Sequence, residues 1–305
     1  MKTVIGIDLG GSSIKIGCFT PEGESVYQGM IPTPQPSTPQ AVTKAIAAIV
    51  KQLTPQYNCI AIGLGTPGPT DAEGRIAKVA INLDNWHNVP LADWLESETG
   101  LPTKIANDAN CAGLGEAWLG SGQQFTNFIL LTLGTGIGGA IILNKQLYTG
   151  IYGAAGELGL ITLNYTGPNC NSGNQGSLEQ YLSIQAIERT TGKNPAVLAE
   201  LANQGNQEAI TFWQDYGKLL GAGLASLIYV LTPEAILIGG GISASSHLFL
   251  PSTQAEIERR VLSSSRIGLQ ILTAQLGNQA GIVGAAKLAW ELKVTYSYTE
   301  SKITL

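Results

Sequence analysis

Residues 3–11, TVIGIDLGG, are an apolar, β-branched run closing on paired glycines, the pattern of a buried strand that ends in a tight turn. SIKIGCFTPEGE continues it as an antiparallel partner that turns at Pro21-Glu22-Gly23. Residues 40–53, PQAVTKAIAAIVKQ, carry apolar side chains at helical spacing, and CIAIGLGTPGP is a second buried strand broken by a Gly/Pro loop. LADWLESETGLP predicts a helix stopped by Gly100, and PTKIANDAN enters a strand and starts a helix near Ala109. FILLTLGTGIGGAIILNKQLYTG then repeats the opening pattern of strand, glycine turn and strand. YGKLLGAGLASLIYVLTP is apolar nearly all round, which predicts a buried helix ended by Pro233. AILIGGGIS is a strand running into a third glycine turn, AGIVGAAKLAWELK a closing helix, and VTYSYTESKITL an uninformative tail.

Strands alternating with helices predict an α/β protein. Both halves open with two strands joined by a glycine turn carrying Ser or Thr, so two like domains facing a cleft are the expected architecture. The boundary is expected within residues 107–120. That gives an N-terminal α/β domain over 1–108 and a larger C-terminal α/β domain over 109–280, the helix near 280–293 being a candidate to pack back on the first.

Composition narrows the function. The chain has 305 residues, 44% hydrophobic and 13% charged, with 38 glycines that have no collagen-like period. The net charge of −5 speaks against a nucleic-acid or anionic-membrane surface, which would need clustered Lys and Arg. Cys18, Cys59, Cys111 and Cys170 lie far apart without CxxC spacing, which predicts reduced thiols and a cytoplasmic protein. His87 and His247 are isolated, so a histidine metal site is not expected. No signal core is visible, and no apolar run reaches the length of about 18 residues a membrane span needs.

Two glycine turns can close backbone N–H groups around phosphate oxygens, Gly10-Gly11-Ser12 with Lys15 and Thr135-Gly136, while a third, Gly240-Gly241, brings backbone up to something flat or bulky, as a nucleotide would be. Alone, each fits an ordinary hairpin turn or close packing as well. The first is not a Walker loop, having neither that spacing nor a following helix. Two at matching places in repeated halves point more strongly to phosphate. Asn107-Asp108 is delivered by a strand to a helix start, where Asp108 is either a plain N-cap or a base that takes a proton from a hydroxyl. Glu157 and Glu179, in glycine-rich surroundings without paired Arg or Lys, suit a neutral polyhydroxylated ligand.

In order along residues 3–290, DLGGSSIK, GLGTPGP, INLDNW, NDANCAGLGEA, LGTGIGGAI, GAAGELG, GNQGSLE and LIGGGIS resemble the ROK family of sugar kinases. The resemblance implies the two-domain actin/Hsp70/hexokinase-like fold with an interdomain active-site cleft. It implies ATP-dependent phosphorylation of a hexose, glucose first, with Asp108 as general base. Gly65, Asn82, Asn107, Glu157 and Glu179 would hold the sugar. Gly10, Gly11, Ser12, Lys15, Thr135 and Gly136 would surround the ATP phosphates, Asp8 would sit near Mg²⁺, and Gly240 and Gly241 would flank the adenosine. Family members are often dimers or tetramers, so a homo-oligomer is expected by analogy. Mannose, fructose or N-acetylmannosamine, and polyphosphate as donor, stay open. Repressors of the family carry an N-terminal DNA-binding segment for which the turn at Asp8 leaves no room, so a regulator is not the expectation. Many members also bind structural zinc through one His and three Cys, where this chain has Leu160, Cys170, Ser172 and Ser177. One thiolate cannot make a tetrahedral zinc site, so no structural zinc is expected, and loop 169–180 is expected to be held by Asn, Ser and Gln hydrogen bonds instead.

Overall fold

The computed structural model describes residues 1–80 and 82–300, with side chains through Leu292. Ile81, which opens the INLDNW segment, and residues 301–305 lie outside it. The chain divides into two compact units, one of residues 1–123, 147–155 and 278–305, the other of 124–146 and 156–277.

The first unit runs β1 (Thr3–Leu9), β2 (Ser13–Phe19), β3 (Ser25–Pro32), α1 (Pro39–Tyr57), β4 (Cys59–Thr66), β5 (Ala77–Val79), β6 (His87–Val89), α2 (Leu91–Thr99), β7 (Thr103–Asn107) and α3 (Asp108–Leu119). Its main sheet has the order β3-β2-β1-β4-β7, with β1, β4 and β7 parallel and β2 and β3 antiparallel. α1 begins where Thr38 accepts from Ala41 N–H and Pro39 takes the first turn, where a missing N–H costs nothing. It ends at Asn58 and α2 at Gly100, both left-handed (φ 53° and 72°).

The second unit runs β8 (Phe128–Leu133), β9 (Ile137–Leu143), β10 (Gln146–Leu147), α4 (Glu179–Leu182), α5 (Ile184–Thr191), α6 (Pro195–Asn203), α7 (Gln207–Leu231), β11 (Ala235–Gly239), α8 (Ser246–Arg260) and β12 (Gln270–Thr273). Its sheet, β10-β9-β8-β11-β12, again pairs an antiparallel hairpin with parallel strands. Each unit has its own apolar core, one around Ile5, Ile46, Ile62 and Trp86, the other around Leu131, Trp213, Leu224 and Phe249.

The closing helix, α9 (Ala280–Glu300), belongs to the first unit and lies across β1, β4 and α3. Glycine makes this possible. A Cβ on Gly6 would collide with Ile282 O, one on Gly63 with Ala285 O, and one on Gly284 with Cys111 O. Backbone therefore lies on backbone, and this seam ties α3 to the first unit. Part of the expected C-terminal tail, residues 294–300, continues α9.

One further expectation changes, and one contact is new. α7 is not buried all round: it begins at Gln207, and Leu219, Tyr229 and Val230 are exposed on one face. Cys18 and Cys59, though unrelated in sequence, meet with Sγ atoms 3.7 Å apart across β1, both free and buried. Helical spacing and sequence distance report neither feature.

Candidate active site

In the first unit, the strand register sets Asp8, Gly65 and Ala106 side by side at the carboxyl ends of β1, β4 and β7, with Asn107 and Asp108 directly after. Such ends are where open α/β sheets bind ligands. Gly65 lets β4 lie against the start of α3: a Cβ there would stand 3.3 Å from Cys111 Sγ and 3.6 Å from Asp108 Cα.

The cap of α3 is Asn107, not Asp108. Asn107 Oδ1 accepts from Ala109 N–H at 2.9 Å and Asn110 N–H at 3.2 Å, and its Nδ2 donates to Gly68 O at 3.2 Å. Asp108 accepts from Ala109 N–H at 2.8 Å, and solvent reaches it within a crowded protein surround. That crowding withdraws the carboxyl from water and raises its pKa; the Ala109 N–H opposes the rise, and the charge of Asp8 adds to it.

Asp8 pairs with its strand partner Lys15 at 3.4 Å, and Lys15 also donates to Asn278 O at 3.4 Å. A Cβ on Gly281 would lie 2.9 Å from Asp8 Cγ, so the first turn of α9, the positive end of its dipole, abuts this carboxylate. Gly10 N–H bonds Ser13 O at 2.9 Å, while Thr33 bonds Gly10 O through its hydroxyl at 2.7 Å and Ser12 O through its N–H at 3.1 Å, fixing the Gly10-Gly11-Ser12 turn. Gly11 lies on Asn82, whose O would be 3.4 Å from a Cβ there. The Asn82 loop is pinned in turn by Asp84, which accepts from Ser37 N–H and hydroxyl, both at 2.8 Å, and by Trp86, whose indole donates to Ser37 O at 2.8 Å. Sequence analysis missed Ser37 and Gly281; nothing local marks either.

In the second unit, Glu179 opens α4 and its Oε2 accepts from Ile137 N–H at 2.9 Å. Gly136 makes room for that carboxylate, since a Cβ would come 2.6 Å from Oε2. Thr135-Gly136 and Glu179, assigned to different ligands from sequence, are thus neighbours. Glu157 is exposed, and its segment packs over the same strand start: a Cβ on Gly139 would lie 2.6 Å from Gly156 O. Gly240 (φ 81°) is required by packing, because a Cβ would strike the Leu133 backbone, whereas the Cβ direction of Gly241 is open. Of the two glycines expected at an adenosine, only Gly241 has a free side.

The ROK family model matches residues 4–291. The chain belongs to the ROK family. A Streptomyces coelicolor glucokinase is 35% identical, with 95% of this chain and 98% of that protein covered. Among solved structures, a ROK family glucokinase from Streptomyces griseus in complex with glucose and AMPPNP is 35% identical, covers 95% of this chain and 99% of its own, and superposes with a TM-score of 0.79. A ROK hexokinase from Thermus thermophilus is 31% identical, covers 96% and 99%, and reaches 0.84. The fold is therefore the two-domain actin/hexokinase-like one of ROK sugar kinases.

Against this ROK background the residues at the expected zinc positions do not fit the metal. Cys170 is the single thiol, and it accepts a hydrogen bond from Ser172 Oγ at 3.2 Å. Burial raises the Cys170 pKa, and the neighbouring serines, Ser172 first and then Ser177, together outweigh it, leaving the thiol below its ordinary value. Ser177 is fully buried in the same loop, and Leu160 offers only its carbonyl, to Asn174 Nδ2 at 2.7 Å. Among the described residues, no group of three or more His, Cys, Asp or Glu could hold a metal, and no helix is long and apolar enough to cross a membrane.

Proposed function

We propose that this sugar kinase transfers the terminal phosphoryl group of ATP to O6 of a hexose, glucose in the first place, with Asp108 as general base. The observation that carries this is the division of labour at the start of α3. Asn107 accepts from the N–H groups of Ala109 and Asn110 and so caps the helix, which leaves Asp108 as a carboxylate that solvent can reach. Its raised pKa suits a base, which must bind a proton firmly enough to draw it from a hydroxyl.

Phosphoryl transfer asks a protein for position and charge more than for covalent chemistry. In this reading the first unit offers Gly10, Gly11, Ser12 and Lys15 to the phosphates and Gly65, Asn82 and Asn107 to the sugar hydroxyls. The second unit offers Thr135 and Gly136 to phosphate, Gly241 to the adenosine, and Glu157 and Glu179 to sugar hydroxyls. The contact of Gly11 with Asn82, and of Gly136 with Glu179, supports this: in each unit a phosphate turn touches a sugar-binding residue, so the two substrates are positioned by one piece of backbone. Asp108 takes the proton from the attacking hydroxyl as the O–P bond forms, and the ADP leaving group departs with the electrons of the broken P–O bond.

Mg²⁺ bound with ATP would neutralise phosphate charge, and the residues fit it. Asp8 and Asp108 are close enough for their charges to interact, and magnesium needs one or two carboxylates besides phosphate and water. ADP release measured with glucose, mannose, fructose and N-acetylated sugars, each with ATP and with polyphosphate, tests the proposal. It expects the highest kcat/KM for glucose with ATP; a clear preference for another sugar or for polyphosphate overturns it.

A further inference from the structure

Asn174 sits in the loop between the two carboxylates assigned to the sugar, among the Asn, Ser and Gln residues expected to hold that loop by hydrogen bonds. Its side chain is half-buried and is used at both ends. Nδ2 donates to Leu160 O at 2.7 Å and to Thr162 Oγ1 at 3.1 Å, while Oδ1 accepts from Gln175 N–H at 2.7 Å and lies 3.2 Å from the Thr162 hydroxyl. Its backbone carbonyl accepts from Cys170 N–H at 2.8 Å.

One amide therefore joins two chain segments. The first is 157–163, which begins with Glu157 and passes through the short 3₁₀ turn Leu158–Leu160. The second is 169–179, which ends in Glu179. Around this clasp the segments pair further: Leu163 N–H bonds Gly176 O at 2.8 Å, Leu178 N–H bonds Ile161 O at 2.9 Å, and Thr162 and Ser177 form an antiparallel bridge. Every one of those backbone bonds lies between Asn174 and Glu179 on one strand and between Glu157 and Asn164 on the other. An amide is well suited to the place, since it presents donor and acceptor in one rigid plane and both are used here.

We infer that Asn174 is a positioning residue that sets the spacing of Glu157 and Glu179, and thereby the affinity for the sugar. This rests on the proposed assignment of those two carboxylates. Asn174 touches neither carboxylate in the hydrogen bonds above, so it acts through the backbone.

The test uses the full chain with two variants and one control. Asn174→Ala removes both ends of the clasp. Asn174→Asp keeps the shape but turns an acceptor toward Leu160 O, where repulsion replaces a bond. Gln175→Ala, an exposed neighbour that uses only its backbone here, serves as control. Two or three lost side-chain bonds predict a rise of about tenfold in the KM for sugar in both Asn174 variants, with the KM for ATP and kcat within about threefold of wild type. Gln175→Ala should match wild type. Amide hydrogen exchange, read without any substrate, should show faster exchange at Leu163, Cys170 and Leu178 in Asn174→Ala. An unchanged sugar KM with unchanged exchange overturns the inference, as does wild-type behaviour in Asn174→Asp. Faster exchange with an unchanged sugar KM also overturns the positioning role, leaving a purely structural one. Failure of the proposed function would look different: no turnover of any sugar by the wild-type chain, with the exchange effect in Asn174→Ala still present.

Discussion

Substituting Gly136 by Ala tests how the second unit holds its sugar carboxylate. The added Cβ would stand 2.6 Å from Glu179 Oε2. A carbon–oxygen contact needs roughly 3.3 Å, so the oxygen must withdraw by about 0.7 Å. The Glu179 bond to Ile137 N–H is 2.9 Å long, and stretched by that amount it would pass about 3.5 Å and cease to be a hydrogen bond. Bonds to a charged acceptor are worth about 1.5–3 kcal/mol, so the aim of Glu179 is lost at a cost of roughly tenfold or more in sugar affinity. Backbone strain is not the cause, because Gly136 does not adopt a positive φ. The assay is the sugar KM at saturating ATP, in wild type, Gly136→Ala, Glu179→Ala and the double variant. Gly136→Ala should raise the KM about tenfold alone and add almost nothing once Glu179 is gone, since residues sharing one interaction are not additive. A sugar KM within about twofold of wild type, or the same factor in both backgrounds, would refute the reasoning.

Two other predictions follow from the first unit. The Asp108 carboxyl has a raised pKa in the folded state, so the acid limb of kcat/KM should lie above the ordinary carboxylate value of 3.8. Stability gives the same sign: a charged Asp108 costs stability once pH exceeds its unfolded value, so Asp108→Asn should gain Tm over wild type as pH rises toward neutrality, and the gain should vanish in acid. A Tm difference that stays constant with pH would show that the carboxyl is not held away from water. Gly284→Ala drives a Cβ into Cys111 O at the α3–α9 seam. Overpacking of this kind costs about 1–3 kcal/mol, or roughly 3–10 °C in Tm for a chain of this size; an unchanged melting curve would mean that the helices do not lie in backbone contact.

How much of this was legible in the sequence follows from the physics of each feature. Strands such as TVIGIDLGG and FILLTL announce themselves because burial on both faces demands continuous apolar, β-branched runs, and the stop at Gly100 because only glycine adopts φ 72° freely. The Asn107-Asp108 pair was visible as a candidate, but which of the two caps α3 was not, since both residue types cap well and the geometry alone decides. The meeting of Gly136 with Glu179, 43 positions apart, and of Cys18 with Cys59 depends on how strands and loops fold back, which no local pattern encodes. The exposed stripe of Leu219, Tyr229 and Val230 on α7 defeated composition for the opposite reason: an all-apolar helix predicts burial, and among the described residues this face lacks a cover. That polar residues hold loop 169–180 was expected, but that Asn174 clasps it emerges only once Leu160 and Thr162 are seen beside it.

The central claim is that Asp108 takes the proton from the sugar hydroxyl. Turnover of glucose by Asp108→Asn at saturating sugar and ATP tests it most directly, with Tm measured alongside to show that the variant is folded. A neutral amide keeps the shape and cannot accept the proton, so kcat should fall by about 10²–10⁴-fold while Tm at neutral pH holds or rises. A kcat within about threefold of wild type, in a variant that melts normally, would contradict the account.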